Sequence, residues 1–270
     1  MTLSLRGVGY RYAGAVRPSL LDVDLELADG EVVGLVGASE AGKTTLCLVA
    51  AGIAPRTVGG HVRGSIALDG ERVDDWPMHR LGGRVGIAFQ NPASQLSQVA
   101  GTVFEEVAFG PMNLGFDRDE IVDRTWTALG ALHIDGLAER DPRRLSGGQQ
   151  QLVAMAGLLA MRPAHLVLDE PTAQLDPAGT RLVGDAIERL AAGGASILVA
   201  EQKTDLLAGV CDRVAVMDGG RIVLLGPTAE VLADTRLPEL GVSQPGIVRL
   251  RRLALSAGVD PAPLQAAADA

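Results

Sequence analysis

The sequence predicts an α/β fold, a mainly parallel sheet covered on both faces by helices, with an N-terminal antiparallel β-subdomain and an inserted helical subdomain. Three observations carry this. Short, continuous apolar runs at residues 32–36, 166–168 and 197–200 read as strands buried on both faces. Helix-like stretches at residues 43–51 and 178–192 alternate with them, the pattern of a parallel sheet joined by crossovers. Between Asn91 and Ala160 the apolar spacing changes to three-to-four, the period of amphipathic helices.

Taken in order, residues 3–6 and 21–27 alternate apolar and polar side chains, as half-buried strands of an antiparallel edge sheet do. The run at 32–36 leads through glycines into a helix over 43–51, which Gly52 and Pro55 close. Within the insertion, residues 103–109, 121–132 and 150–159 carry helical spacing. Beyond 197–200, the stretch from Val214 to Val223 predicts a hairpin turning on Asp218-Gly219. After Thr235, Leu240, Val242, Ile247, Val248, Leu250 and Leu253 are enough to pack, and the alanine-rich tail from Pro261 reads as loose. No internal repeat is visible.

Composition narrows the function classes. With 270 residues, 47% of them hydrophobic, the chain can bury one substantial core and a smaller subdomain, but not two such domains in tandem. A net charge of −9 argues against a general attraction to nucleic acid or anionic lipid, and the arginines at 249, 251 and 252 read as a solvated face. Cys47 and Cys211 lack disulfide-framework or metal spacing. Met1 opens without a signal peptide, and the most apolar run, 152–168, is interrupted by Arg162, Pro163 and His165. Any membrane role is then expected to be peripheral.

Gly37, Ala38, Ser39, Glu40, Ala41, Gly42, Lys43 and Thr44 fit the phosphate-loop pattern of P-loop NTPases with a RecA-like sheet. Glycines let successive backbone N–H groups turn inward around a β-phosphate. Lys43 would reach the β- and γ-phosphates, Thr44 would ligate Mg2+, and Thr45 completes the nucleotide-facing turn. The chain has only two lysines, so composition alone yields roughly 0.003 chance matches to this pattern. The motif predicts ATP or GTP binding. Downstream, a buried strand ends on Asp169-Glu170; there Asp169 suits a magnesium site and Glu170 can polarise an attacking water. Leu145-Ser146-Gly147-Gly148-Gln149 reads as a capping box, with Ser146 as N-cap, and equally as an anion site at an exposed helix N-terminus.

In this order, the phosphate loop, Gln90, the LSGGQ turn and Asp169-Glu170 resemble the nucleotide-binding subunit of ABC transporters over about residues 1–230. The resemblance implies an ATPase domain over 1–235, its helical subdomain at about 91–160, and a C-terminal extension over 236–270 that helps pair the ATPase subunits and ends in a loose tail. It also implies ATP and Mg2+ as cofactors, with Gln90 joining Thr44 and Asp169 at the metal. In a head-to-tail homodimer or heterodimer with another such subunit, Ser146, Gly147, Gly148 and Gln149 would complete the partner's site. Tyr12 matches the family's adenine-stacking aromatic, with Tyr10 as the rival. Phe89-Gln90-Asn91-Pro92, Gln95, the stretch from Glu105 to Gly115 and the loop reaching Asp176 are similar to the ATPase subunits of energy-coupling factor importers of vitamins or transition-metal ions. Partners would then be a transmembrane coupling subunit and a substrate-binding membrane protein, at the cytoplasmic face of the membrane. The stripe of Val103, Val107 and Ala108 fits either a docking segment or plain core.

The sequence departs from the family at one position. A histidine normally follows the strand ending at Glu201; here it is Gln202. A glutamine amide donates a hydrogen bond but cannot become cationic. Glu170, Lys43 and Gln202 form the expected catalytic set, with turnover slowed or dependent on a partner. The alternatives are an ATP-binding dimer that hydrolyses poorly, or a soluble ABC ATPase outside transport.

Overall fold

A computed structural model describes residues 2–258 and 260; the tail from Pro261, expected to be loose, lies outside the described residues. The chain opens with β1 (Leu3–Arg11), β2 (Leu20–Leu27), β3 (Val32–Gly37) and α1 (Lys43–Ala50). β4 (His61–Leu68), β5 (Glu71–Arg72), α2 (Met78–Gly82) and β6 (Val85–Ala88) follow. Three helices make the insertion, α3 (Val103–Asn113), α4 (Arg118–Ala131) and α5 (Gly147–Met161). The second half runs β7 (His165–Asp169), α6 (Pro177–Ala192), β8 (Ser196–Ala200) and α7 (Thr204–Val210). It closes with β9 (Arg213–Asp218), β10 (Arg221–Pro227), α8 (Thr228–Ala233) and α9 (Gly246–Ser256).

Two sheets result. One is antiparallel, in the order β2-β1-β4-β5; the other has the order β10-β9-β3-β8-β7-β6 and is parallel except for the β9–β10 hairpin. Alternation does not single out β4, because none of its first five residues is fully buried and Gly64 sits at φ 81°. Four-residue β6 is too short to show a period.

In the parallel sheet, neighbouring residues divide between two cores. Val36, Leu166, Leu168, Val199 and Val216 join the apolar cluster shared with α3–α6, while Leu35, Val167, Leu198, Ala215 and Met217 join the one shared with α1, β1 and β2. Burial on both faces is why these strands read as continuous apolar runs. In the insertion, caps carry helices beyond their apolar stripes. Thr102 and Glu105 form a capping box on α3, Asp117 caps α4, and Ser146 with Gln149 form a second box on α5. Each cap contributes about 1 kcal/mol. Val103, Val107 and Ala108 are buried, so that stripe is core. Phe104 packs on Trp126 with ring centroids 5.2 Å apart, whereas Phe109 stays 41% exposed.

The C-terminal segment packs less completely than its composition predicts. Val242 is buried and Leu240, Ile247 and Val248 are half-buried, but Leu250 and Leu253 are exposed, since α9 meets the body of the protein along one shallow edge. Of the three arginines there, Arg252 donates to Gln244 Oε1 at 3.1 Å. Cys47 and Cys211 are both free. Among the described residues, no helix is long and apolar enough to cross a membrane.

β7 starts on His165, which is fully buried with Nδ1 2.5 Å from Ser196 Oγ. Burial pushes its pKa down to about 4, against the pull of Asp69. Folding therefore favours the neutral ring. An unfolded histidine titrates near pH 6.5, so this contribution is complete above that pH and is lost as pH falls toward 4. The loss is at most about 3 kcal/mol, less whatever solvent screens. Urea unfolding followed from pH 7 to 4 should show this acid limb, and His165→Asn should flatten it; an equally steep limb in the variant would refute the assignment.

Candidate functional site

Sheet register gathers the predicted residues at one edge. Leu35, Asp169 and Ala200 sit side by side in β3, β7 and β8, and Ala88 of β6 pairs with Leu168. The loops leaving these carboxyl ends therefore emerge together: the phosphate loop, Gln90, Glu170 and Gln202. Main-chain bonds tie the exits, with Glu170 N donating to Ala200 O at 2.8 Å and Glu201 N to Leu35 O at 3.2 Å. Ligand sites of open parallel sheets lie at this end.

The phosphate loop turns on Gly37, whose φ of 155° and packing against Met217 O leave no room for a Cβ. Lys43 opens α1 only 8% exposed, and its Nζ donates to Gly37 O and Ala38 O, each at 2.8 Å. The ammonium is thus held inside the loop that would receive phosphate. Thr44 is exposed, while Thr45 is buried and its Oγ1 lies 3.1 Å from the Tyr12 hydroxyl. Tyr10 is buried and its hydroxyl donates to Gly59 O, which leaves half-buried Tyr12, edge-on to it at 4.8 Å, as the tyrosine beside the loop.

Asp169 is 4% exposed, and burial raises its pKa, while a hydrogen bond from Thr44 and the charge of Lys43 lower it. Thr44 and Asp169 therefore meet, the oxygen pair that a magnesium ion bridged to phosphate would use. No group of three His, Cys, Asp or Glu side chains suited to a metal occurs among the described residues. Such a centre would take its remaining ligands from the nucleotide and water.

Glu170 stands in the left-handed region at φ 50°. Gln90 Nε2 donates to its Oε2 at 2.7 Å and Gln202 Nε2 to its Oε1 at 2.6 Å. Two amides from separate loops thus aim one carboxylate. The signature turn lies elsewhere. Ser146 Oγ accepts from Gln149 N at 3.3 Å, and Gln149 Oε1 accepts from Ser146 N at 3.1 Å. No hydrogen bond among the described residues joins Ser146, Gly147, Gly148 or Gln149 to the phosphate loop. Instead Gly147 faces Gln174 so closely that a Cβ would strike Gln174 Oε1. Asp176, expected in a loop between subunits, N-caps α6 by accepting from Gly179 N at 2.7 Å.

Three residues near Glu170 make contacts that no motif assigns: Thr172, Glu201 and Lys203. Glu201, 2% exposed, accepts from Thr172 Oγ1 at 2.5 Å, and Lys203 Nζ donates to Thr172 O at 2.8 Å. The available signal was compositional, Lys203 being the second of two lysines. A separate cavity of about 600 Å³ lies between α4, α5 and α6; there Arg124 and Arg189 donate to carbonyls at the ends of α5 and α4 and serve as caps.

Residues 20–173 match the ABC transporter family. A relative from Pyrococcus abyssi, named an ABC transporter ATP-binding protein, is 38% identical over 92% of this chain and 89% of its own. The energy-coupling factor transporter ATP-binding protein EcfA of Methanosphaera stadtmanae is 37% identical over 88% of this chain and 87% of its own. Among solved structures, CbiO1 of Clostridium perfringens, part of the ABC transporter complex CbiONQ, is 31% identical. It superposes with a TM-score of 0.76, covering 93% of this chain and 98% of that one.

Proposed function

Since the chain belongs to the ABC transporter family as an ATP-hydrolysing, ATP-binding subunit, we propose that it powers an energy-coupling factor importer of a vitamin or a transition-metal ion. The observation that carries the chemistry is Glu170, aimed by Gln90 and Gln202 beside Asp169 and Lys43. In this reading Tyr12 stacks on adenine. The phosphate loop from Gly37 to Thr45 cradles the phosphates, and Lys43 leaves its carbonyls to neutralise the β- and γ-oxygens. Thr44 and Asp169, with Gln90, would hold Mg2+, which would polarise the γ-phosphate. Glu170 accepts the proton of the attacking water, and Gln202 keeps it in register.

A dimer follows from the signature. Ser146 to Gln149 present a capped helix N-terminus with no hydrogen bond to the chain's own phosphate loop among the described residues, so they would serve a second subunit's nucleotide. α9 supports pairing, because Leu250, Leu253 and Leu255 are 47%, 65% and 64% exposed on a helix without a buried residue. The coupling subunit would dock at the cytoplasmic membrane face in a groove of about 300 Å³ lined by Ile87, Leu96, Phe109, Val153 and Met161. The relatives named EcfA and CbiO1 favour this branch.

Purifying the tagged protein from detergent-solubilised membranes of its own host tests the assignment. An integral coupling subunit and a smaller solute-binding membrane protein should copurify, and ATP hydrolysis by the complex should drive solute into proteoliposomes. Recovery without either membrane protein would overturn the importer reading while leaving the ATPase intact.

A further inference from the structure

We propose that Lys203 is a positioning residue that locks the loop between β7 and α6 to the residues flanking Gln202, and so links Glu170 to the signature turn of the same subunit. The inference rests on the nucleotide-site reading above and adds a route by which one composite site senses the other.

Lys203 Nζ donates to Thr172 O at 2.8 Å, to Thr180 Oγ1 at 3.0 Å and to Leu175 O at 3.2 Å. All three ammonium donors are thereby used. On the other side of Gln202, buried Glu201 accepts from Thr172 Oγ1 and also from the backbone N–H groups of Gln202 and Lys203, at 2.8 and 3.2 Å. Gln202 is therefore held by neighbours that both grip the same loop. The far side of that loop touches the signature: Gln174 lies against Gly147, and Leu175 against Gly148. A continuous chain of contacts runs from Gly147 through Gln174, Leu175, Lys203 and Gln202 to Glu170.

Composition supplies a second, independent argument. Of 24 basic side chains, 22 are arginine and two are lysine, and both lysines stand at this site. Lys43 is explained by phosphate. At 203 the three acceptors converge on one point, a geometry that a compact ammonium satisfies and a planar guanidinium fork does not. Lys203 touches no reacting group in this arrangement; its hydrogen bonds go to two backbone carbonyls and one hydroxyl. Its effect on chemistry must act through Gln202, and a misplacement of about 1 Å at a reacting centre can cost roughly 10²-fold in rate.

Lys203→Met and Lys203→Arg in the purified full chain test this, with steady-state ATPase, affinity for a fluorescent ATP analogue, and Tm measured side by side. Both substitutions should lower kcat by roughly tenfold or more, with nucleotide Kd within about twofold and Tm near that of the parent. Unchanged kcat, full turnover in Lys203→Arg, or parallel losses of kcat, affinity and Tm would each overturn the proposal. Glu170→Gln measured alongside separates the two ideas: turnover that survives it removes the nucleotide-site reading, whereas its loss beside normal turnover in both Lys203 variants removes this inference alone.

Discussion

Glu170→Gln should lower ATP turnover by about 10²–10⁴-fold, the usual worth of a positioned general base, while nucleotide binding persists. Lys43, the phosphate loop and Asp169 are untouched by the change, so ATP and Mg2+ should still be held. The substitution sets an amide donor against one of the two amides from Gln90 and Gln202, and the local geometry around it should relax. Its cost in stability should be small, because the site lies at the rim of the sheet and Gln90 and Gln202 are exposed. Size-exclusion chromatography with ATP should reveal an accumulated dimer absent with ADP. If turnover is already negligible in the parent and the dimer forms equally in both proteins, the chain acts as an ATP-operated clamp that does not hydrolyse.

Gln202→His should raise turnover by up to roughly 10²-fold, in line with restoring one electrostatic contact to a developing phosphoryl charge. The amide at 202 orients Glu170 from 2.6 Å but brings no positive charge to the γ-phosphate. An imidazole can do both, and its protonation near neutrality should give the variant's kcat a pH dependence that the parent lacks. Because Glu201 and Lys203 grip the neighbouring loop, the new side chain should start from the same backbone position. Brisk turnover in the parent, with no rise in the variant, would mean that Gln202 already does the whole task.

Much of this architecture was readable because the information is local. β3, β7 and β8 announce themselves through burial on both faces, β9 through the hairpin that follows it, and Ser146-x-x-Gln149 specifies a cap whose partners are three residues apart. The phosphate loop is legible for the same reason: one turn, one lysine, one following helix. β4 was obscure because its pairing with β1, not its own periodicity, makes it a strand. Leu250 and Leu253 stay uncovered in the single chain because apolar composition says that a surface seeks cover without saying which chain supplies it. Thr172, Glu201 and Lys203 were invisible since their bonds span about thirty residues, 29 between Thr172 and Glu201 and 31 between Thr172 and Lys203. Tyr10 and Tyr12 could be separated only by burial, which depends on Gly59 arriving just ahead of β4, the strand paired with β1.

The scarcity of lysine changes how the protein can be handled chemically. Amine-selective acylating and fluorescent reagents, which decorate most proteins at random, have only the ε-amino groups of Lys43 and Lys203 to meet here, apart from the α-amino group. Labelling would act as an occupancy gauge for the nucleotide pocket, suppressed at Lys43 by bound triphosphate and sensitive at Lys203 to movement of its loop. Conversely, lysine-to-lysine cross-linkers would leave the outer faces of any assembly blank. Its contacts with other subunits would have to be mapped through carboxylates, arginines or introduced cysteines.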